Sequence, residues 1–266
     1  MVHLKSLARK GRAGNDFPFD VPAIYELQSL QFTAGVTFFA GENGSGKSTL
    51  LEAIAAATNS IAVGAADIEN DETLSAARTL ADDLRLGWNK RGVRGFFFRA
   101  EDFFAFAQRM HAMRIDFRSR AAHYAEELKA RPVDEGLRRA YGSMLRQQRA
   151  IEERYGENLD ARSHGEGFLH LFQSRMVPRG LYLLDEPEAA LSPMRQLAFL
   201  SLIKNALAED CQFIIATHSP ILLAFPDAQI LDFSSPPIAA TEYDELEGVR
   251  LMRSFLENRE AFLRRL

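Results

Sequence analysis

The chain has 266 residues, which suits one large domain or a domain that carries an insertion. Hydrophobic residues make up 47% and charged residues 26%, a balance that predicts a folded core and excludes a disordered chain. The net charge of -4 gives no global attraction to nucleic acid, which would need a local basic patch. A single cysteine, Cys211, excludes an internal disulfide and favours a reducing, cytoplasmic compartment. No secretory signal and no membrane span are expected, since no long apolar run occurs.

The first 35 residues are expected to form an edge sheet, because Leu27–Phe32 alternates apolar and polar side chains as a strand does. A glycine-rich loop follows at Gly41–Thr49 and matches the phosphate-binding pattern of glycine, four residues, then Gly-Lys-[Ser/Thr]. An apolar strand precedes this loop and a helix follows it, which is the context that the pattern requires. Nucleotide binding is therefore predicted for Gly41, Glu42, Asn43, Gly44, Ser45, Gly46, Lys47, Ser48 and Thr49.

Each residue type in this loop has a physical role. Glycine lacks a Cβ, so the backbone can take positive φ and approach a phosphate closely. The N–H groups of the loop and of the helix start then form an anion site. Lys47 is expected to reach the β- and γ-phosphates, and the hydroxyl of Ser48 to bind Mg²⁺.

The middle of the chain, about residues 65–165, is predicted to be a helical insertion. Asp67–Leu86 is polar and predicts one or two helices, whereas Gly95–Phe98 predicts a buried strand. Phe103–Leu128 has an amphipathic stripe of a long helix, which Pro132 ends, and a second helix follows. That second helix carries four arginines that could contact nucleic acid, although such a run more often forms a solvated face: Arg138, Arg139, Arg146 and Arg149.

The last third returns to α/β character. Leu181–Leu184 and Gln212–Ala216 are almost continuously apolar and predict parallel core strands, with a helix over residues 193–209 between them. The predicted fold is an α/β P-loop domain with a mostly parallel core sheet, an N-terminal antiparallel edge sheet and an inserted helical subdomain. Residues 1–60 and 175–266 would form its nucleotide-binding core.

Three further motifs carry chemistry. Asp185 and Glu186 end an apolar strand, where Asp185 can hold Mg²⁺ and Glu186 can orient and deprotonate an attacking water. His218 follows the last core strand and is expected on the side of the phosphate loop. Ser163 begins a glycine-bearing helix, and Glu166 three residues later completes a capping box. The N-terminus of this helix could also bind a γ-phosphate.

In this order the motifs resemble those of ABC-type ATPases, which have a phosphate loop, a signature helix start, Leu-Leu-Asp-Glu-Pro, Ala-Leu-Ser-Pro and Thr-His-Ser. The sequence is most similar to the stand-alone soluble ATPases of this class, often labelled AAA family ATPases. Their heads are similar to those of chromosome-maintenance and recombination-repair ATPases. The matching motifs span Gly41 to Pro220. The resemblance implies ATP and Mg²⁺ as cofactors, ATP hydrolysis, and a head-to-tail homodimer that encloses each ATP between two subunits.

The resemblance also implies a role for each matching residue. Lys47 would hold the phosphates and, with Glu186 and His218, serve catalysis. Glu186 would be the general base and His218 the switch histidine, while Ser48 and Asp185 would hold Mg²⁺.

Across the dimer interface, Ser163 and Gly165 would touch the γ-phosphate of the partner's ATP, beside Ala190–Pro193. The usual signature is Leu-Ser-Gly-Gly-Gln, but this chain has Arg162-Ser-His-Gly-Glu166, so His164 replaces a glycine and could change the backbone approach.

Several assignments stay open at this point. The glutamine that usually helps to bind Mg²⁺ has three candidate replacements, and one of three aromatic residues could stack on adenine although core packing is the more ordinary role. The candidates are Arg99, Glu101 and Gln108 for the first role, and Phe17, Phe19 and Tyr25 for the second. The alternatives to a hydrolytic switch that engages an unidentified partner are a transporter ATPase subunit, a non-catalytic ATP sensor and a small-molecule kinase.

Overall fold

The structure is a computed structural model of the chain. It describes residues 1–11, 14, 16–62, 74–90, 92–155 and 164–264. These residues divide into two compact units. One unit combines Met1–Ala100 with Met176–Leu266, and the other is Glu101–Arg175.

The first unit contains two sheets. The larger sheet has the strand order β10-β9-β3-β8-β7-β6-β4, and the smaller has the order β2-β1-β5. Every pairing in the larger sheet is parallel except that of β10 with β9. Within the described residues, the strands are β1 (Leu4–Arg9), β2 (Ser29–Gln31), β3 (Val36–Ala40), β4 (Ile61–Ala62), β5 (Leu84–Trp88), β6 (Gly95–Arg99), β7 (Leu181–Asp185), β8 (Gln212–Ala216), β9 (Gln229–Asp232) and β10 (Ala239–Ala240).

The central strands of the larger sheet are apolar along almost their whole length, since both faces are covered. All five residues of β3, of β7 and of β8 are buried. The predicted mostly parallel core sheet and the antiparallel N-terminal sheet are therefore confirmed. The helices of this unit are α1 (Pro22–Tyr25), α2 (Lys47–Ala57), α3 (Ser75–Asp83), α7 (Pro193–Ala208), α8 (Pro220–Leu223), α9 (Glu247–Glu257) and α10 (Arg259–Leu263).

The small sheet is fastened to the large one by the side chain of Gln212, at the start of β8. Its Oε1 accepts hydrogen bonds from the backbone N–H groups of His3 and Leu4, both at 2.8 Å. Its Nε2 donates to the Leu4 carbonyl at 3.0 Å. A buried amide that uses both of its ends in this way fixes β1 against the core strand.

The helical prediction for Asp67–Leu86 is correct only in part. Residues 67–73 lie outside the described residues, and α3 covers Ser75–Asp83 as a helix. From Leu84 onward the prediction is wrong, because β5 pairs with β1 in antiparallel register from Leu84 opposite Arg9. Leu84, Leu86 and Trp88 alternate with Arg85 and Gly87, which is the two-residue period of a strand. The prediction extended the preceding helix into this strand.

The second unit is helical and confirms the expected inserted helices. It contains most of α4 (Ala100–Ala130), then α5 (Glu135–Tyr155) and α6 (His164–Arg175). Asp134 begins α5, since its Oδ1 accepts from the N–H groups of Gly136 and Leu137 at 2.9 and 3.1 Å. Among the described helices, none is both long and apolar enough to cross a membrane. The limits of 65–165 for the insertion remain a prediction.

Candidate functional site

The loops that follow β3, β7 and β8 meet at one edge of the large sheet. Asp185 at the end of β7 lies opposite Ala216 at the end of β8, and Ala216 lies opposite Phe39 of β3. Backbone hydrogen bonds continue this pairing past the strands, from Glu186 N–H to the Ala216 carbonyl at 2.9 Å and from Thr217 N–H to the Phe39 carbonyl at 3.1 Å. Parallel strands thus bring three sequence motifs together at the edge where α/β sheets bind ligands.

The phosphate loop has the backbone that an anion site requires. Gly46 caps α2 in the left-handed region at φ 100°, where a side chain would be strained. A Cβ at this position would also lie 2.8 Å from Cγ1 of Val21, so neighbouring packing favours glycine independently. The N–H groups at the start of α2 are therefore open to an anion.

Lys47 folds back over the loop. Its side chain is buried, and its Nζ donates to the carbonyls of Gly41 and Glu42 at 2.8 and 2.7 Å. Burial lowers the pKa of the Lys47 ammonium, while the charges of Glu186 and Asp185 oppose that change. Two neutral carbonyls thus hold the ammonium inside the loop where the sequence predicts phosphate binding.

Asp185 forms the acidic side of the site. Its Oδ1 accepts a hydrogen bond from the Ser48 hydroxyl at 2.9 Å, which joins β7 to the first turn of α2. Burial raises the pKa of Asp185 to about 7, the Ser48 bond opposes that rise, and the charges of Glu52 and Glu186 add to it. The charge of the Lys47 ammonium also opposes the rise, but burial is the largest cause and the pKa stays raised.

The pair of Ser48 and Asp185 fits the expected Mg²⁺. Mg²⁺ prefers oxygen ligands and is usually held by one or two carboxylates together with substrate phosphates, so a hydroxyl and one carboxylate suffice from the protein. In the described part of the chain, no group of three or more His, Cys, Asp or Glu side chains could hold a metal ion alone. The observation that favours a cation here is the donor set itself, a hydroxyl oxygen 2.9 Å from an oxygen of a buried carboxyl group.

Glu186 begins the loop after β7 in a left-handed conformation, with φ 46° and ψ 49°. Such a backbone is uncommon for a residue other than glycine and costs about 1 kcal/mol or more. Its side chain is 35% exposed, and its Oε1 lies 3.9 Å from Nδ1 of His218. The carboxylate predicted to activate water and the predicted switch histidine are thus neighbours at the open side of the site.

Glu188 belongs to the site but was missed by the sequence analysis. Its Oε1 accepts from the Thr217 hydroxyl at 2.6 Å and from the His218 N–H at 2.9 Å. The same oxygen lies 3.4 Å from Nδ1 of His218. The signal in the sequence was a third acidic residue, directly after Asp-Glu-Pro, but only the pairing of β7 with β8 shows that it faces the Thr-His-Ser loop.

The structure distinguishes some of the candidates for the Mg²⁺-binding glutamine and for the aromatic residue that stacks on adenine. Arg99 ends β6 opposite Asp185, is buried, and has its Nη1 3.4 Å from Oε1 of Glu52 on α2. Gln108 is exposed on α4, and the side chain of Glu101 lies outside the described set. Of the aromatic candidates, Phe19 is a core residue, whereas Phe17 and Tyr25 are 61% and 68% exposed.

The signature motif is described only in its second half. Ser163 lies outside the described residues, so its proposed cap and its γ-phosphate contact stay predictions. Gly165 lies in the first turn of α6, whose described part starts at His164. The four arginines considered for nucleic-acid contact are all exposed on α5, and one of them forms an i,i+4 pair with Glu135 at 3.1 Å: Arg138, Arg139, Arg146 and Arg149, of which Arg139 is the paired one. Contact with nucleic acid remains a prediction.

Sheet order and phosphate loop define a P-loop nucleotide-binding protein of the α/β class. The sequence profile of one family matches residues 56–224, and its description is "AAA domain, putative AbiEii toxin, Type IV TA system". The chain belongs to this family of AAA domains. The matched range includes the Asp185–Glu186 pair and His218. It begins after the phosphate loop, so this loop is evidence for nucleotide binding that is independent of the family match. A search of curated proteins finds no match.

Solved structures similar to this chain include Smc head domains and a part of an ABC transporter complex. The Smc head domain of Pyrococcus furiosus, solved with ScpA, is 14% identical with a TM-score of 0.47, covering 98% of this chain and 100% of that chain. The SMC head of Thermotoga maritima is 17% identical with a TM-score of 0.45, covering 90% and 99%. The cbiO1 protein of Clostridium perfringens, part of the ABC transporter complex cbiONQ, is 16% identical with a TM-score of 0.45, covering 99% and 100%. The P-loop fold of this chain is defined by its own sheet order and phosphate loop.

Proposed function

We propose that this chain is an ATPase that hydrolyses ATP and uses the cycle to drive or regulate a partner protein. The observation that carries the proposal is the convergence of three motifs at one sheet edge. Three motifs follow adjacent parallel strands: the phosphate loop, the Asp185–Glu186 pair and His218. In the sequence, more than 140 residues separate the phosphate loop from His218. Membership of the AAA domain family supports the same activity.

The chemistry would be phosphoryl transfer to water, governed by positioning and charge stabilisation. Lys47 and the loop N–H groups would hold the phosphates, and Ser48 and Asp185 would hold Mg²⁺, which supplies charge neutralisation when bound. Glu186 would take a proton from the attacking water, since its side chain is partly open to solvent and can reach it. His218 would contact the γ-phosphate from the loop after β8.

We also infer that the active form is a head-to-tail dimer, with Ser163 and Gly165 of one subunit facing the ATP of the other. The end of the predicted interface stretch supports this role, because Ser192 and Pro193 are both exposed. Met194, the next residue and part of α7, is 76% exposed and extends the same surface. The family description names a type IV toxin–antitoxin system, which favours a defence-related partner over a transporter.

Hydrolysis is tested by phosphate release from ATP and Mg²⁺ by the wild-type chain and by Glu186→Gln. The substitution removes the base and keeps the shape, so kcat should fall by about 100-fold or more while nucleotide affinity is retained. The matched control is Glu209→Gln, which removes the same charge from an exposed residue after α7 and should change neither quantity. A wild-type chain that binds ATP without hydrolysing it would instead be a sensor, and an unchanged rate in Glu186→Gln would remove Glu186 from the mechanism.

A further inference from the structure

Glu188 is the most deeply buried carboxylate beside the candidate site that the proposed chemistry does not use. Its side chain is 6% exposed, compared with 35% for Glu186 two residues earlier. Its Oε2 is buried and has no hydrogen-bond partner among the described residues. Burying a charged group costs free energy unless it is paired, so a function is needed to explain its presence here.

Both hydrogen bonds to Glu188 come from the loop that carries His218. The Thr217 hydroxyl donates to Oε1 at 2.6 Å, and the His218 N–H donates to the same oxygen at 2.9 Å. Two donors on one oxygen fix the plane of the carboxylate. They also leave its charge facing the His218 ring, where the distance from Oε1 to Nδ1 is 3.4 Å.

The loop is held from its other side as well. Thr217 Oγ1 accepts from the Ser219 N–H at 3.0 Å, and the Ser219 hydroxyl donates to Oε1 of Gln196 at 2.5 Å. Gln196 Nε2 donates in turn to the Leu191 carbonyl at 3.2 Å. These contacts hold the histidine loop from the side away from Glu188. The charged groups near the Glu188 carboxylate are then the Lys47 ammonium, which it attracts at longer range, and the His218 ring beside Oε1.

Resting on the ATPase function proposed above, we propose that Glu188 is a positioning residue for His218. It holds the proton of the His218 ring on Nδ1, and so leaves Nε2 as the ring nitrogen for the γ-phosphate or the attacking water. A carboxylate oxygen beside one ring nitrogen of a histidine favours the tautomer that carries its proton on that nitrogen and leaves the other nitrogen without one. Glu186 is the second carboxylate facing Nδ1, but at 3.9 Å and with a more exposed side chain, so its charge is screened more strongly by solvent.

A purely structural role for Glu188 can be separated from this one with Glu188→Gln. The amide oxygen can still accept from Thr217 and from the His218 N–H, and its NH₂ takes the position of the unpartnered oxygen. Loop geometry and folding should therefore be retained, while the negative charge beside Nδ1 is lost. Glu209→Gln again serves as the matched control.

The direct test is ¹⁵N NMR of the histidine ring nitrogens at a pH where the His218 ring is neutral. The chain has six histidines, and the His218 signals are assigned as those missing from His218→Gln. We expect His218 to carry its proton on Nδ1 in the wild type and to shift towards the Nε2–H form in Glu188→Gln. A wild-type ring protonated on Nε2 would overturn the proposal, and this result does not depend on any hydrolysis.

The kinetic test uses the same variants. Glu188→Gln should lower kcat for ATP about tenfold or more and leave KM within about twofold, because orientation is lost while phosphate binding is retained. Wild-type rates in Glu188→Gln would overturn the proposal. If the wild type itself hydrolyses no ATP, the proposed function fails, and the NMR result still decides whether Glu188 orients His218. A thermal melt of Glu188→Gln within about 3 °C of wild type excludes a folding defect.

Discussion

Asp185 is a buried carboxyl group in the position where the proposed Mg²⁺ would bind. Burial raises its pKa to about 7 in the folded chain, whereas an unfolded aspartate has a pKa of about 3.9. Between these values the folded state binds more protons than the unfolded state. The free energy of unfolding therefore falls as the pH rises from about 4 to about 7 and stays low above it.

Asp185→Asn should consequently stabilise the nucleotide-free chain at pH 8, by on the order of 2 kcal/mol, and by much less at pH 5. The amide keeps the shape and can still accept from the Ser48 hydroxyl, but it carries no charge into the buried site. Urea denaturation at the two pH values measures the difference. Asp82→Asn, at an exposed position before β5, is the control and should show no such pH dependence. An Asn variant less stable than the wild type at pH 8 would mean that Asp185 is stabilised as a charge.

Most site residues could be predicted from the sequence because each lies within a short motif whose order is specific. Ser48 lies beside Asp185, and Lys47 folds back onto the Gly41 carbonyl, while their predicted roles towards ATP and Mg²⁺ remain predictions. A loop pattern and a strand end both have local signals in the sequence. Glu188 had only a weak local signal. Its role depends on a contact with Thr217, 29 positions away, that parallel pairing of β7 and β8 creates.

At the scale of elements, β6 depends on one glycine. Gly95 begins the strand opposite Leu181, and a Cβ there would lie 1.7 Å from the Leu181 carbonyl oxygen, which is backbone and cannot rotate away. Gly95→Ala should therefore push β6 from β7 and cost about 3 kcal/mol or more. Thermal melting measures this, with Gly248→Ala as control, because Gly248 has open space around its Cβ position. Equal melting temperatures for the two variants would contradict the close packing of β6.

Element ends were harder to predict than element types. The strand β5 starts directly where α3 ends, at Leu84, so no turn residue separates the two periodicities. Its pairing with β1 joins Leu84 to Arg9, a contact across 75 positions that no local pattern contains. The long helices α4 and α5, by contrast, repeat one period over many residues, and the structure has both.

In the molecule as a whole, a single chain presents the phosphate loop, the carboxylate pair and the histidine at one sheet edge. In the proposed dimer, the remaining predicted contacts to ATP would come from a second copy. Glu186→Gln should therefore be a monomer without nucleotide and a dimer with ATP and Mg²⁺, because binding is retained while hydrolysis is blocked. Light scattering measures the mass. Adding Ser163→Arg should abolish the dimer by placing a bulky cation in the predicted interface, whereas Ser201→Arg, on the exposed face of α7, should not. A mass independent of ATP would contradict the sandwich and leave closure to a different partner.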